Sequence, residues 1–203
     1  MIRLTELRLP LDHSPTALPT AIVQRLGIQL DDLINFTVFK RGYDARKRDA
    51  IVLVYTIDAE VHAANQLLEK FKDDVHVNLA PDTRYQFVAN VQAPLAQRPI
   101  IVGFGPCGIM AGLILAQMGL RPIILERGKK VRERTKDTWG LWRRNQLNPE
   151  SNVQFGEGGA GTFSDGKLYS QIKDPKHYGR KVLSEFVKAG APEEILYVSK
   201  PHI

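Results

Sequence analysis

Hydrophobic and polar residues alternate along residues 2–9 (IRLTELRL), the rhythm of a half-buried strand, and Pro10 closes the run. After a proline-rich turn at 15–19, residues 20–26 carry a helical pattern stopped by Gly27. Residues 33–40 (LINFTVFK) predict a second strand. Residues 51–57 (IVLVYTI) predict a third and are the clearest strand in the chain, β-branched and aromatic. Across 60–71, Val61, Ala64, Leu67, Leu68 and Phe71 fall on one helical face. Residues 75–79 supply a last strand, with 85–91 as a candidate extension. The order β-α-β-β-α-β predicts a small α+β ferredoxin-like domain, with both helices on one face of the sheet. That fold carries many activities and assigns none.

The pattern changes after residues 92–99 (QAPLAQRP), a proline-punctuated stretch that sets the expected boundary between a domain at 1–95 and another at 96–203. Residues 99–102 form a short apolar strand that runs into Gly103-Phe104-Gly105-Pro106-Cys107-Gly108, and 109–118 continue as a helix ended by Gly119. Strand, glycine turn and helix in that order are the context of a phosphate-binding turn. Gly103 permits the tight bend, Gly105 lets the backbone approach a diphosphate, and Gly108 lets the helix lie close to the sheet. Unpaired amides and the helix dipole favour an anion at this point. A second strand at 122–125 ends at Glu126, 23 residues after Gly103, where an acid hydrogen-bonds an adenosine ribose. An acid there suits FAD or NAD better than NADP. The second domain is therefore expected to be the start of a Rossmann-like FAD/NAD(P)-binding domain, and the chain α/β overall.

Residues 155–168 (FGEGGAGTFSDGKL) turn the expectation from NAD to FAD. Five of these 14 residues are glycines. A chain so poor in side chains is costly to order without a ligand or a close backbone contact. Gly158, Gly159, Ala160 and Gly161 allow close approach to a flat ligand; Thr162, Ser164 and Asp165 offer polar contacts, and Lys167 a cation near a flavin ring. Between these motifs lies a basic stretch expected to form a helix with Trp139 and Trp142. Within it, Arg127 and Arg134 are the candidate anion contacts.

Charge is uneven. Residues 1–98 hold 12 basic and 12 acidic side chains, so the net +6 resides entirely in residues 99–203, which suits a diphosphate-bearing ligand. The loop at 40–49 (KRGYDARKRD) is dense in charge, with a solvated hairpin, an anion contact or interdomain docking as its readings; only Tyr43 could stack on a base. A single cysteine, Cys107, excludes an internal disulfide and the dithiol relay of disulfide reductases; it is expected to be a small residue at a crowded turn. The histidines lack metal-ligand spacing, so no metal is expected. No apolar run is long enough to span a membrane, and the first ten residues lack a signal-peptide core, which predicts a cytoplasmic protein.

Three elements together resemble a known group: the glycine turn 103–108 with Glu126-Arg127-Gly128, the segment 158–168 (GGAGTFSDGKL), and Lys40-Arg41 followed by Asp44-Ala45-Arg46-Lys47. The chain is similar to the N-terminal part of the uncharacterised bacterial FAD-dependent dehydrogenases, flavoproteins with a glutathione-reductase-like FAD fold. The resemblance implies FAD held by Gly103, Gly105 and Gly108 at the diphosphate and by Glu126 at the ribose, with residues 159–167 near the riboflavin end. It implies no substrate. Members of that group are much longer, so the chain is expected to be a truncated piece whose C-terminal half is its missing partner. The expected activity is an FAD-dependent oxidoreductase of unassigned substrate, with NAD(P)H a candidate electron donor and the catalytic residues unassigned. A flavin-dependent RNA-modifying enzyme and a non-catalytic dinucleotide-binding module are the alternatives.

Overall fold

A computed structural model describes residues 1–92, 95–170 and 172–203. It is mixed α/β, with a four-stranded antiparallel sheet and a small parallel sheet. Contacts divide it into two units, Met1–Arg84 with Leu168–Ile203, and Tyr85–Lys167. The boundary expected at 92–99 includes Ala93 and Pro94, which lie outside the described residues.

The first unit runs β1 (Ile2–Pro10), α1 (Ala17–Leu26), β2 (Leu33–Asp44), β3 (Val52–Val61), α2 (Ala64–Lys70) and β4 (Val77–Leu79), with strand order β2-β3-β1-β4. Its core joins Ile2, Leu4, Ile57 and Ala59 of the sheet to Ile22 and Leu26 of α1 and Leu67 of α2. In β1 the apolar positions are 2, 4, 7 and 9. That phase slip cannot be satisfied by a regular strand, whose side chains alternate with period two. A bulge between Leu4 and Leu7 absorbs it, with Glu6 in the left-handed region at φ 59°. Leu4 pairs with Ile57 before the bulge and Leu7 with Tyr55 after it, so both leucines stay inside. β2 carries two further irregularities, between Leu33 and Asn35 and between Val38 and Lys40.

Several boundaries differ from the sequence expectation. β2 extends to Asp44, so half of the expected basic loop is strand, paired to β3 down to Asp44–Val52. β3 takes Glu60 and Val61 from the expected helix, because Val61 pairs with Leu33 and Ala63 turns into the left-handed region before α2 starts. Residues 85–91 form no strand; the Val91 amide instead donates to the Met118 carbonyl of the second unit.

The second unit contains β5 (Ile100–Val102), α3 (Pro106–Gln117), β6 (Ile123–Leu125), α4 (Val131–Arg144) and a 3-10 turn at Gly159–Phe163. β5 and β6 pair in parallel, Ile100 with Ile123 and Val102 with Leu125. Ile101 and Ile124 face α3, while Ile100, Val102, Ile123 and Leu125 are exposed.

Residues 168–203, expected to continue the second domain, are grouped by their contacts with the first unit. The reason is backbone pairing plus an arginine clasp. The Arg41 amide donates to the Tyr197 carbonyl (2.6 Å), and the Ser199 amide donates to the Arg41 carbonyl (2.9 Å), adding a parallel bridge to β2. From α5 (Tyr178–Lys188), Arg180 lies 4.6 Å from the Phe39 ring, and Arg3, paired to Asp58 at 2.7 and 2.8 Å, lies 3.6 Å from the same ring. No helix among the described residues is long and apolar enough to cross a membrane.

Ile57 sits fully buried on the central strand β3. Ile57→Ala is expected to cost about 2–5 kcal/mol, read as a lowered urea midpoint with an unchanged slope.

Candidate functional site

The glycine turn of the second unit is built by close approach. A Cβ at Gly108 would collide with the Gly103 carbonyl oxygen, and one at Gly112 would lie 2.7 Å from the Ile124 Cδ1. Glycine at both positions lets α3 lie close on β5 and β6, with only the Ile101 and Ile124 side chains of the strands beneath it. Gly103 needs its conformation (φ 99°) more than its size, because a Cβ there would meet nothing within 4 Å. Pro106 occupies the first turn of α3, where a missing N–H costs nothing. The first amides of any helix lack intrahelical partners. At α3 they emerge beside exposed Cys107, whose sulfur is free.

Glu126 stands across this turn at the end of β6. Its Oε2 accepts from the Phe104 amide (2.7 Å) and its Oε1 from the Gly128 amide (2.8 Å). Burial alone would raise this carboxyl; the amides of Gly128, Phe104, Gly156 and Arg127 together outweigh it and hold the pKa below the ordinary glutamate range. The carboxylate therefore ties the glycine turn to the turn after β6. A carboxylate has about four lone-pair sites, and the Phe104 and Gly128 amides are the two at hydrogen-bond distance, so further donors can still be accepted.

The glycine-rich segment closes against the same turn. The Gly158 amide donates to the Phe104 carbonyl (2.8 Å), and a Cβ on Gly159 would lie 3.0 Å from the Gly105 Cα and 3.1 Å from the Pro106 Cδ. Thus Gly103, Gly105, Pro106, Gly108, Glu126, Gly158 and Gly159 form one cluster. The Thr162 hydroxyl donates to the Glu157 carbonyl, and Ala160 and Gly161 lie exposed on the 3-10 turn. Further along, the Ser164 hydroxyl accepts from the Gly166 amide, and Lys167 pairs with Asp165 at 2.7 Å.

Arg134 differs most from its expected role. It is fully buried on α4, and its guanidinium donates to the carbonyls of Asn152, Val153, Glu157 and Gly159 at 2.6–2.7 Å, and to the Thr162 hydroxyl at 3.3 Å. The structure thus directs it to the loop's backbone and not outward to an anion. Desolvation lowers its pKa, with the charge of Glu126 acting the other way. Arg127 is exposed, bound to Glu150 (2.5 and 3.2 Å) and stacked 4.6 Å from Phe155. Trp139 and Trp142 meet edge to face, and Trp142 meets Phe163 likewise; both tryptophans are only half-buried. Sequence reasoning gave no part to Asn152 and Glu157, which complete the loop: the Asn152 side chain accepts from the Gln154 and Phe155 amides, and Glu157 from the Val131 amide at the start of α4. Asn148 and Asn152 both form Asx turns, accepting from the Glu150 and Gln154 amides, and asparagine at these turns is the local hint of it. Among the described residues no group of three histidine, cysteine or acidic side chains is placed to hold a metal ion.

Two outcomes follow. Arg134→Met, which strands four carbonyls, is expected to destabilise the second unit by about 3 kcal/mol or more and to raise amide exchange at 152–160, with Arg134→Lys intermediate. Because the Glu126 pKa is depressed on folding, its contribution is fully present above the unfolded value of about 4.3 and fades as pH falls through the folded pKa. Glu126→Gln, which turns an amide group toward a backbone donor, is expected to cost about 1–3 kcal/mol at neutral pH and to flatten the acid limb of the stability–pH curve below about pH 5.

A family model described as a domain of unknown function (DUF8436) matches residues 1–60. An uncharacterized protein of Clostridium beijerinckii is 40% identical over 202 residues, which is 100% of this chain and 37% of that protein. The chain thus spans little more than a third of the length of the curated relative it matches.

Proposed function

We propose that this chain is the cofactor-binding part of an FAD-dependent oxidoreductase of unassigned substrate, working with further polypeptide of the same protein, in the cytoplasm. In this reading the first unit is a ferredoxin-like domain and the second the start of a Rossmann-like domain, as in the bacterial FAD-dependent dehydrogenases that the sequence resembles. The observation that supports it best is the cluster at the start of α3. A bare glycine turn, the free first amides of a 12-residue helix, a ribose-competent carboxylate and a second glycine loop all meet there.

The donor set fits a dinucleotide. Gly103, Gly105, Cys107 and Gly108 would hold the diphosphate through their backbone, and Glu126 would accept from the adenosine ribose with its remaining lone pairs. Ala160 offers a second amide surface. The peptide carbonyl of Gly159 points at the Arg134 guanidinium, and a trans peptide sets its N–H opposite, so the Ala160 amide faces away from Arg134. Residues 161–167 would approach the ring end of the cofactor. FAD would supply acceptance of a hydride or of electrons at its ring system, with NAD(P)H as a candidate donor. The exposed face formed by Ile100, Val102, Ile123 and Leu125 is where further polypeptide would pack, because parallel sheets are covered on both faces.

Two measurements on the purified chain test this. Flavin absorbance near ~450 nm that is released on denaturation supports FAD. ADP, the half of the cofactor this unit would grip, should shift the backbone NMR signals of residues 103–108 and 126–128 even where the ring end is incomplete. If neither FAD nor ADP perturbs those residues, the reading is lost.

A further inference from the structure

The charge-dense hairpin of the first unit makes no cofactor contact in the flavin reading, yet it borders a cavity of about 580 Å³ whose lining includes Glu6, Arg8, Lys40, Tyr43, Asp44 and Arg46. Two of the three backbone irregularities in the sheet's described pairings open onto it. The β1 bulge sets Glu6 in a left-handed conformation that a glutamate adopts only at a cost, and the second of the two β2 irregularities falls at Lys40. Bulges re-aim side chains and gather beside functional sites. Here the two converge from different strands on one cavity.

Asp44 organises the cations. Its carboxylate accepts from Arg46 Nε (2.9 Å) and Nη2 (2.6 Å) and from Arg8 Nη1 (3.1 Å), while Arg8 Nη2 also donates to Glu6 (2.8 Å). The Arg46 guanidinium beside it, side chain and backbone together, holds the Asp44 carboxyl far below the usual range, so it stays charged. Bound this way, Arg46 keeps its Nη1 donors and the Lys40 ammonium has no ion-pair partner among the described residues. Adjoining cavities share Tyr43 and Ser199, or Arg8, Asp44 and Arg46, with this one, and bring Lys47 and Lys200 to its rim. Tyr43 is 66% exposed, which leaves its side chain open to a stacking partner.

We propose that this cavity binds a small phosphate ester, with the phosphoryl group held by Lys40, Arg46 and Arg8 and the organic part laid against Tyr43. Phosphate suits the donor set better than a carboxylate. Three oxygens can engage a point-charge ammonium and two guanidiniums from separate strands, whereas a planar carboxylate is served by one guanidinium fork. Asp44 and Glu6 work here as positioning residues that fix the arginines before a ligand arrives. The site lies wholly in the first unit and stands whether or not the second unit holds FAD.

Phenyl phosphate is the probe, titrated into the isotopically labelled 203-residue chain and followed by backbone amide NMR. Saturable shifts at residues 6–8 and 40–46 are expected, with none from phenol. Lys40→Gln and Arg46→Gln should each weaken binding about threefold to tenfold while leaving thermal unfolding unchanged, since both side chains are exposed. Asp44→Asn should weaken it through loss of the arginine clamp, and Glu6→Gly should do so while relieving backbone strain. The proposal is overturned by no shift at these residues up to about 10 mM probe, a concentration at which even a millimolar site saturates. It is also overturned by unchanged affinity in the Lys40→Gln, Arg46→Gln double variant, or by shifts confined to 103–108. An eight-base single-stranded oligonucleotide binding through the same residues at least about tenfold tighter than the probe would replace the small ester with nucleic acid.

Discussion

Backbone packing at Gly108 is the constraint on which the second unit rests. The Gly103 carbonyl oxygen occupies the place a side chain would take, so α3 lies directly on its strand. Only with that clearance do the free amides of the first turn of α3 stand beside the bend and within reach of the Glu126 side of β6. Gly112 repeats the arrangement one turn later against Ile124. A helix held off by a methyl group would place its dipole and its amides away from the carboxylate, and the cluster would lose its geometry before losing any named contact. The sheet beneath is small, which leaves α3 and the loops to fix its position.

Much of this was legible in the sequence because it rests on local rules. Strand, glycine turn, helix and acid recur at fixed offsets, and the helical and strand periods of the first unit point to the elements found. The parts that escaped depend on contacts distant along the chain. Nothing near Arg134 says that its guanidinium meets carbonyls 18 to 25 residues later, since a basic residue in a basic helix has the same pattern whether it faces water or a buried loop. The return of residues 168–203 to the first unit is likewise hidden, because Arg180 finds Phe39 across most of the chain. The β1 bulge is also missing from the sequence reading, which finds plain alternation at 2–9, although apolar positions 2, 4, 7 and 9 carry the phase slip that the bulge absorbs.

The two faces of the antiparallel sheet do different work. One is an apolar layer under α1 and α2, while the other carries ions: Arg3 paired with Asp58 under Phe39, and Arg8 with Asp44 farther along. Charged side chains on an open face would suit solvent alone, but the C-terminal segment crosses this face and pairs with β2 through Arg41. Part of the face is thereby closed and part left open. The open part is where the hairpin cations gather.

Arg134 also decides how the glycine-rich loop can move. Glycines usually suggest a flap that opens and closes on a ligand. Here four carbonyls of the loop converge on one buried cation in the first turn of α4, and releasing any of them leaves donors and acceptors stranded away from water. Opening is therefore not a hinge motion of the loop alone but a cooperative event that includes the helix, with the free energy of a subglobal unfolding step. A ligand arriving at this surface meets a prearranged wall, and selection falls on its shape and charge, with little room for the wall to adapt.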